Sequence, residues 1–578
     1  MNPKFDFTRK KFHSLLATST FSMAIEVVVL LSDTIVVGNL VGKDGISGIN
    51  LVSPIFAIVA FLGMLISMGT IYRYTAEAGQ FHKDRADQFF GQGFILAAVF
   101  GIVMFLIVFF GESFYFDFMG ASEGGQVLAH ARDYYRYFRF TVLLYPMYTF
   151  LVEMVYGDGD EAICNASYIA QIGGNIILSI FLCMKMGAAG ASLGTLIGTI
   201  LSLIIVSLHF LKKKNSLHFV WHLSLKDFKE VCTYSIVDAG LYLFWGVLSM
   251  AMDKLVIARF GEEYLPVLSV VISLVEMTMI FDGVASAVIP LFNQYKGEDN
   301  KRGIKRLIRM ASRTSIIEGI IFTVFLEAGA VLFPLMFGIH DPKYMEMCVT
   351  AVRLYAPTAT LTALLFLYTS YYLMWDHVLP AFLVVALKDL VFPIALAFCF
   401  AHIFGSIQGI WIAFLLSPVL ALLLGSLIAI KLYGRDMFPF LVEKDLPPTY
   451  IYSIHVNKEE TMALRDRVEA DLIKEGVGRK SIGRIMLFVE DGYAMIEEHN
   501  KKPVISELSL LLREDVQVVI KDTGEVFDMT QLAEAGEASE LKDKVQNKVV
   551  KSIISGTPGN QYLLTSSFNR HILHFDRT

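Results

Sequence analysis

The chain has 578 residues, of which 55% are hydrophobic and only 18% charged, with a mean hydropathy of +0.55. Soluble domains carry about 25% charged residues, so most of this chain is built for lipid; the net charge of -6 selects no partner, and nothing points to nucleic acid. The charge is also uneven. Of the 49 basic and 55 acidic residues, 41 fall between Leu441 and Thr578, which marks a change of solvent at Leu441.

Taken in chain order, the amino terminus carries Lys4, Arg9, Lys10 and Lys11, then an apolar run that continues past Leu30 without a small-residue cleavage site. It reads as a first membrane helix and not as a removable signal peptide. Stretches of about 20 apolar residues can cross a bilayer. They fall at 14–38, 46–72, 89–110, 132–156, 162–185 and 189–211, then at 231–258, 264–292, 308–336, 347–374, 378–404 and 407–432. The expected fold is therefore an all-α polytopic membrane protein with twelve transmembrane helices. Lys83 and Arg85, Lys212 to Lys214, and Lys301, Arg302, Lys305 and Arg306 stand in alternate loops with the amino terminus, which puts both termini on the cytoplasmic side of a cell membrane.

Landmarks recur between the two halves. Asp33 pairs with Asp253, Gly79 with Gly297, Gly120 with Gly338, Asp158 with Asp376 and Gly187 with Gly405, all near one offset. Two six-helix lobes, 1–222 and 223–440, related by an axis along the membrane normal, are the architecture of an alternating-access transporter. The five cysteines, Cys164, Cys183, Cys232, Cys348 and Cys399, lie in apolar runs with no C-x-x-C pair and read as packing residues.

An ionisable residue inside a membrane helix costs roughly 2.5 to 3.5 kcal/mol on insertion scales, so each needs a partner or a role. Glu26 and Asp33 are seven residues apart, two helical turns, and so share one face. Stacked acids can exchange a proton or hold a small cation; the same spacing also suits an Asp33 hydrogen-bonded near the outer interface. Lys388, Asp253 and Glu276 are further candidates to line a cavity, with ion pairing between helices as the competing role. No residue reads as catalytic and none as part of a metal site.

The runs Ser32-Asp-Thr-Ile-Val-Val-Gly-Asn39, Gly157-Asp-Gly159, Asn175-Ile-Ile-Leu178 and Gly187-Ala-Ala-Gly-Ala-Ser-Leu-Gly-Thr195 occur in that order. Over about the first 435 residues the chain resembles the multidrug and toxic compound extrusion (MATE) family. The resemblance implies a bacterial membrane antiporter, not an enzyme, that exports drugs or toxic metabolites on an inward gradient of Na+ or H+. It also implies a coupling site in the first lobe, carried by position onto Asp33, Asn175 and Thr195. Many members place an acid four residues after the asparagine; Ser179 stands there in this chain, and Glu26 is the candidate to compensate.

After the linker 441–448, whose Asp445-Leu-Pro-Pro448 is extended and helix-terminating, residues 449–578 read as a cytoplasmic α/β (α+β sandwich) domain. Asp522-Thr-Gly-Glu-Val-Phe-Asp528 after a strand, Glu490-Asp491 on a helix and the closing Asn569-Arg-His-Ile-Leu-His-Phe575 resemble the ATPase domains of histidine kinases and anti-sigma factors. That resemblance makes Asp522, Gly524 and Glu490 candidates to bind nucleotide. Ala494 replaces the asparagine that holds magnesium there, and Val545-Gln-Asn-Lys548 lacks the glycines that cover phosphates. Weak ATP binding without turnover is expected, with the domain serving a cytoplasmic regulator. The other expected partners are a small-molecule substrate and the bilayer, and the chain is expected to act as a monomer. Two other functions fit the same pattern: a lipid-linked saccharide flippase, which needs a cationic cavity, and a transport-inactive sensor signalling through the tail.

Overall fold

The computed structural model describes residues 6–79, 83–119, 125–158, 160–212, 215, 217–435, 447–525, 527–529, 549–555, 561–565 and 568–577, apart from some side chains in α1, α2, α6, α9, β4 and β5. The Glu26 side chain, linker residues 441–446, Gly120 and Val545–Lys548 therefore lie outside the described residues.

The first half is built of α1 (Phe7–Leu40), α2 (Lys43–Gly79), α3 (Lys83–Phe110), α4 (Glu112–Met119) and α5 (Gln126–Gly157), then α6 (Glu161–Gly173), α7 (Ser179–Met186) and α8 (Ala188–Ser207). The second half is built of α9 (Leu225–Arg259), α10 (Leu265–Met277), α11 (Asp282–Gly297), α12 (Lys301–Gly329), α13 (Leu332–Met336), α14 (Pro342–Tyr355), α15 (Thr358–Met374), α16 (Val378–Ala386), α17 (Phe392–Phe404) and α18 (Gln408–Tyr433). Among the described residues, nine helices are long and apolar enough to cross a membrane, or ten if the pair α14 and α15, bent by 48°, is one span. The count of twelve is not reached by that measure. Part of the reason is chemical, since α12 carries Arg309, Arg313, Glu318 and Glu327 along its length.

Local chemistry explains where these helices start and stop. Asp160, Ser224 and Asp341 each accept a backbone N–H of the first turn that follows them, which satisfies donors a helix start leaves open. Pro54, Pro146, Pro290 and Pro418 sit inside helices, a placement that neighbouring helices make tolerable in a membrane.

The repeat has a structural counterpart. The chain turns at Gly187 (φ +61°) and at Gly405 (φ +60°), a backbone conformation that glycine adopts without steric cost. Just before each turn the helix widens into one π turn, Gly174–Leu178 between α6 and α7 and Leu387–Val391 between α16 and α17. Such turns are rare and frequently lie at functional sites.

The chain divides into two compact units, one of residues 20–285 and 312–438, the other of 1–19, 286–311 and 439–578. In the first, Val37, Ile46, Val59, Ala131, Met252, Val267, Ala351 and Ile410 belong to one apolar core with contributions from both halves of the repeat.

The second unit contains the tail domain: β1 (Thr449–His455), α19 (Lys458–Lys474), α20 (Arg479–His499), β2 (Ile505–Leu512), β3 (Asp515–Asp522), β4 (Gln561–Thr565) and β5 (Phe568–Asp576). The strands form one sheet in the order β1-β2-β3-β5-β4, every neighbour antiparallel. Leu508, Leu510, Val516, Val518, Ile520 and Leu573 pack against Leu464, Val468 and Leu472 of α19 and Ile485, Phe488, Val489 and Ile496 of α20. A sheet covered on one face alternates buried and exposed residues along each strand. Here seven consecutive residues of β2 and of β3 are buried, so the second face is covered as well. Its cover comes from the start of α1 and from 286–311: Phe7 N donates to Ser453 Oγ at 3.0 Å, and Arg570 Nη1 donates to the Gln294 carbonyl at 3.2 Å.

Candidate functional site

Asp33 lies on α1, 8% exposed, and accepts three hydroxyls. Tyr134 of α5 donates to Oδ2 at 2.8 Å, Thr195 of α8 to Oδ2 at 2.7 Å, and Ser179, the first residue of α7, to Oδ1 at 3.4 Å. Asn175, inside the π turn, donates Nδ2–H to Thr195 Oγ1 at 2.9 Å, and Ser32 donates to Asn175 Oδ1 at 2.7 Å. Four of these side chains, Ser32, Asn175, Thr195 and Asp33, therefore form one directed chain. Ser32 orients the Asn175 amide, the amide occupies a lone pair of Thr195, and the Thr195 proton is left to point at Asp33.

Packing allows this closeness because position 194 has no side chain: a Cβ there would stand 2.5 Å from Ser179 N and Oγ. All the donors are neutral, and among the described residues no cationic side chain pairs with Asp33. A carboxylate ringed by hydroxyl and amide oxygens is a hard-oxygen setting for a small cation or a proton. Among the described residues no group of three or more His, Cys, Asp or Glu side chains is arranged to hold a metal ion, and Asp33 is the acid of this cluster that the structure describes.

Of the residues expected from sequence, Asp33, Asn175, Ser179 and Thr195 are brought together. Asp253 stands elsewhere, fully buried on α9, with Oδ1 accepting from Asn50 of α2 at 3.0 Å and Oδ2 without a hydrogen-bond partner among the described residues. Glu276 is half-buried next to the last residue of α10. Lys388 sits in the second π turn, 8% exposed, with Nζ 2.5 Å from Asp389 and 4.8 Å from the centre of the Phe366 ring. Its carboxylate is thus its own neighbour in the chain. Tyr134 and Ser32 complete the Asp33 cluster and were not singled out from sequence. A tyrosine on a half-apolar helix carries no signal of its own.

A second polar cluster also escaped the sequence reading. His209, 3% exposed, lies between Asp158 Oδ2 on Nε2 and Asp160 Oδ2 on Nδ1, both at 2.8 Å, and Lys212 Nζ stands 2.7 Å from the same Asp160 oxygen. Lys212 first, then His209, holds the Asp160 carboxyl down at about 2. The ring satisfies both acids when both its nitrogens carry hydrogen. His209→Ala removes the bridge and leaves Asp158 buried beside Asp160. It is expected to cost about 2 to 3 kcal/mol, read as a fall in the thermal midpoint of the purified protein, while His209→Gln restores only part of the loss.

In the tail, Asp522 is 1% exposed, and its Oδ1 accepts from Gly524 N and from Asn569 Nδ2, both at 2.9 Å. Among the described residues its Oδ2 is buried without a hydrogen-bond partner, and burial raises this carboxyl above its usual range. The nucleotide site expected from sequence would turn that oxygen to the exocyclic amine of an adenine. The magnesium side fits poorly, since Glu490 is tied to Arg465 at 3.4 Å and Ala494 offers no oxygen. An amide would keep the accepting oxygen and remove the buried charge. Asp522→Asn is therefore expected to leave the tail at least as stable as before, whereas Asp522→Ala, which takes the acceptor from Gly524 N and from one Asn569 amide hydrogen, costs about 1 to 3 kcal/mol. Hydrogen exchange of β3 and β5 measures both.

A buried carboxylate held between helices of the first half, in a chain whose two halves each carry a π-widened helix, is an arrangement that suits a membrane transporter. The comparisons agree. Residues 19–183 match the MatE family model. The multidrug export protein MepA of Staphylococcus aureus strain MRSA252 is 26% identical over 410 residues, covering 69% of this chain and 88% of that protein. MepA of Staphylococcus haemolyticus is 24% identical over 345 residues, covering 58% and 74%.

Solved structures share the fold. The inward-facing conformation of a multidrug resistance MATE family transporter of the MOP superfamily matches with a TM-score of 0.66 at 17% identity, covering 73% of this chain and 98% of that one. A MOP superfamily transporter from Pyrococcus furiosus matches at 0.61 and 17%, covering 74% and 96%. Together these likenesses join residues 19–183 to the MatE family model in sequence, and the membrane part of the chain to solved MATE transporters in fold.

Proposed function

We propose that this protein is an antiporter that exports organic cations, drugs or toxic metabolites by alternating access, driven by Na+ or H+ entering at Asp33. The observation that carries the reading is the Asp33 cluster: one buried carboxylate, three hydroxyl donors and no cationic partner among the described residues. Such a carboxylate can take up and release a small cation as water gains and loses access to it, and each exchange changes what its donors prefer. Glu26, on the same face of α1, is the second acid of this proposal.

Both termini are placed in the cytoplasm, and the transporter works as a monomer. Lys388 would favour an anionic cargo such as a lipid-linked saccharide only if its charge were free; Asp389 at 2.5 Å balances it, which supports the organic-cation reading instead. In the tail, Asp522 Oδ2 accepts an adenine amine and binds nucleotide weakly and without magnesium.

Purified protein in liposomes tests the first claim. Under an imposed Na+ or proton gradient, a panel of organic cations should move in exchange; no movement under either gradient would sink the proposal. Calorimetry of the full chain with ATP tests the second. Tight, magnesium-dependent binding would refute it.

A further inference from the structure

The tail sheet carries a row of charge across three strands. The register sets Glu507 of β2 opposite Lys521 of β3, and Lys521 opposite Arg570 of β5. All three are buried: Glu507 is 0%, Lys521 1% and Arg570 6% exposed. Buried charges of this kind are kept only when paired, and here the partners come from segments that run into the membrane helices.

Glu298, just past α11 and 1% exposed, places Oε1 2.9 Å from Lys521 Nζ and 3.8 Å from Arg570 Nη1. Lys521 Nζ is also 3.1 Å from Glu507 Oε1 and lies 4.0 Å over the ring of Tyr295 on α11. Glu507 then accepts from two hydroxyls, Thr8 at the start of α1 at 2.7 Å and Tyr295 at 3.0 Å, and those two oxygens are themselves 2.6 Å apart. Outside this core, Arg513 Nη2 stands 2.9 Å from Asp299, and Arg306 of α12 pairs with Asp6.

One face of the tail thus holds two pieces of chain at once. The start of α1 leads into the first lobe, and 286–311 lead into the second. In alternating access the two lobes part on one side of the membrane and then on the other, so helix ends on a given side move relative to each other.

We infer that the tail is a clasp: its β2-β3-β5 face ties the start of α1 to the α11–α12 joint, and the transporter opens on the tail side only when one of the two is released. The inference rests on the transporter reading above. The tail is then a resistance in the cycle, and anything that binds it, or reshapes its sheet, sets how often that side opens. The charges balance, with Glu298 and Glu507 against Lys521 and Arg570. Release of the Thr8 hydroxyl leaves these pairs intact, so the start of α1 is the piece that lets go.

Two full-length variants in nanodiscs and liposomes test this. Donor and acceptor dyes on noncanonical residues at Lys83 and Lys431, both exposed, report the separation of the lobes on the tail side by single-molecule energy transfer. Thr8→Val with Tyr295→Phe should raise the wide-separation population about tenfold, the effect of losing two to three buried hydrogen bonds. Phe7→Cys with Ser453→Cys, oxidised, should abolish that population and stop substrate movement, and reductant should restore both; the oxidised parent controls for native cysteines. If the oxidised variant keeps the parent's distance distribution, the clasp is refuted. A parent that moves no substrate while the distances respond as stated would refute the transporter reading and leave the clasp standing.

Discussion

Replacing Asp33 with asparagine is expected to lower gradient-driven export by at least about a hundredfold while leaving the amount of folded protein in the membrane near that of the parent. The amide is the same size, and its oxygen still accepts from Thr195 and Tyr134. What disappears is the one negative charge of the cluster, and with it the ability to bind a cation or proton in one orientation and release it in the other. A hundredfold loss corresponds to about 2.7 kcal/mol, modest for a charge held in a low-dielectric site. The measurement is initial export rate in liposomes under Na+ and under proton gradients. Thr195→Val should give a smaller loss of about tenfold, since it removes one donor to the carboxylate and the partner of Asn175 but keeps the acid. Unchanged transport by Asp33→Asn would move the coupling site elsewhere, with Asp253 the next buried acid to test.

The second large effect is expected at Lys521. Its ammonium lies between Glu298 and Glu507, and burial already pushes Glu298 above the usual carboxylate range against the pull of Lys521. Lys521→Met leaves two carboxylates facing each other in a space closed to water. Breaking a buried pair by removing one partner costs about 3 to 5 kcal/mol. Hydrogen exchange should register that loss as faster opening of β2, β3 and β5, steeper as pH rises and Glu298 is forced to ionise without Lys521. The sign follows from linkage. An acid whose folded pKa is raised opposes folding as pH climbs from its unfolded value near 4 through the folded one, so the variant should be least stable above neutrality. Adding Glu507→Gln removes the one uncompensated carboxylate, leaves Glu298 against Arg570 and should recover most of the loss. A single variant as stable as the parent would mean that Arg570 alone neutralises the pair.

The membrane part was legible in the sequence to the extent that hydropathy and spacing are direct consequences of the bilayer. Helical segments lie at each of the twelve apolar stretches, and Asp33, Asn175, Ser179 and Thr195 form one cluster. Tyr134 and Ser32 could not be read, because their role arises only where α5 and the π turn meet α1. Nor could the pairing of Lys388: an adjacent Asp389 normally points to another face of a helix, and it reaches the ammonium here where the helix is widened. His209 was silent for a similar reason, since its two acids stand about fifty residues upstream. In the tail, the sheet and its two packed helices followed the alternation of apolar residues. The burial of Glu507, Lys521 and Arg570 was not legible, because a strand pattern does not say that a second layer, made from the start of α1 and from 286–311, lies over it.

The π turns at Gly174–Leu178 and Leu387–Val391 each hold one residue more than an α-helical turn needs. The position of everything beyond them therefore depends on a count of residues rather than on their identity. Excising one residue from either would close the turn into ordinary helix, rotate the following segment by about 100° and shorten it by about 1.5 Å. Deletion reaches what substitution cannot, because a single missing residue in the first half would swing Ser179 away from Asp33 with every side chain of the cluster still present.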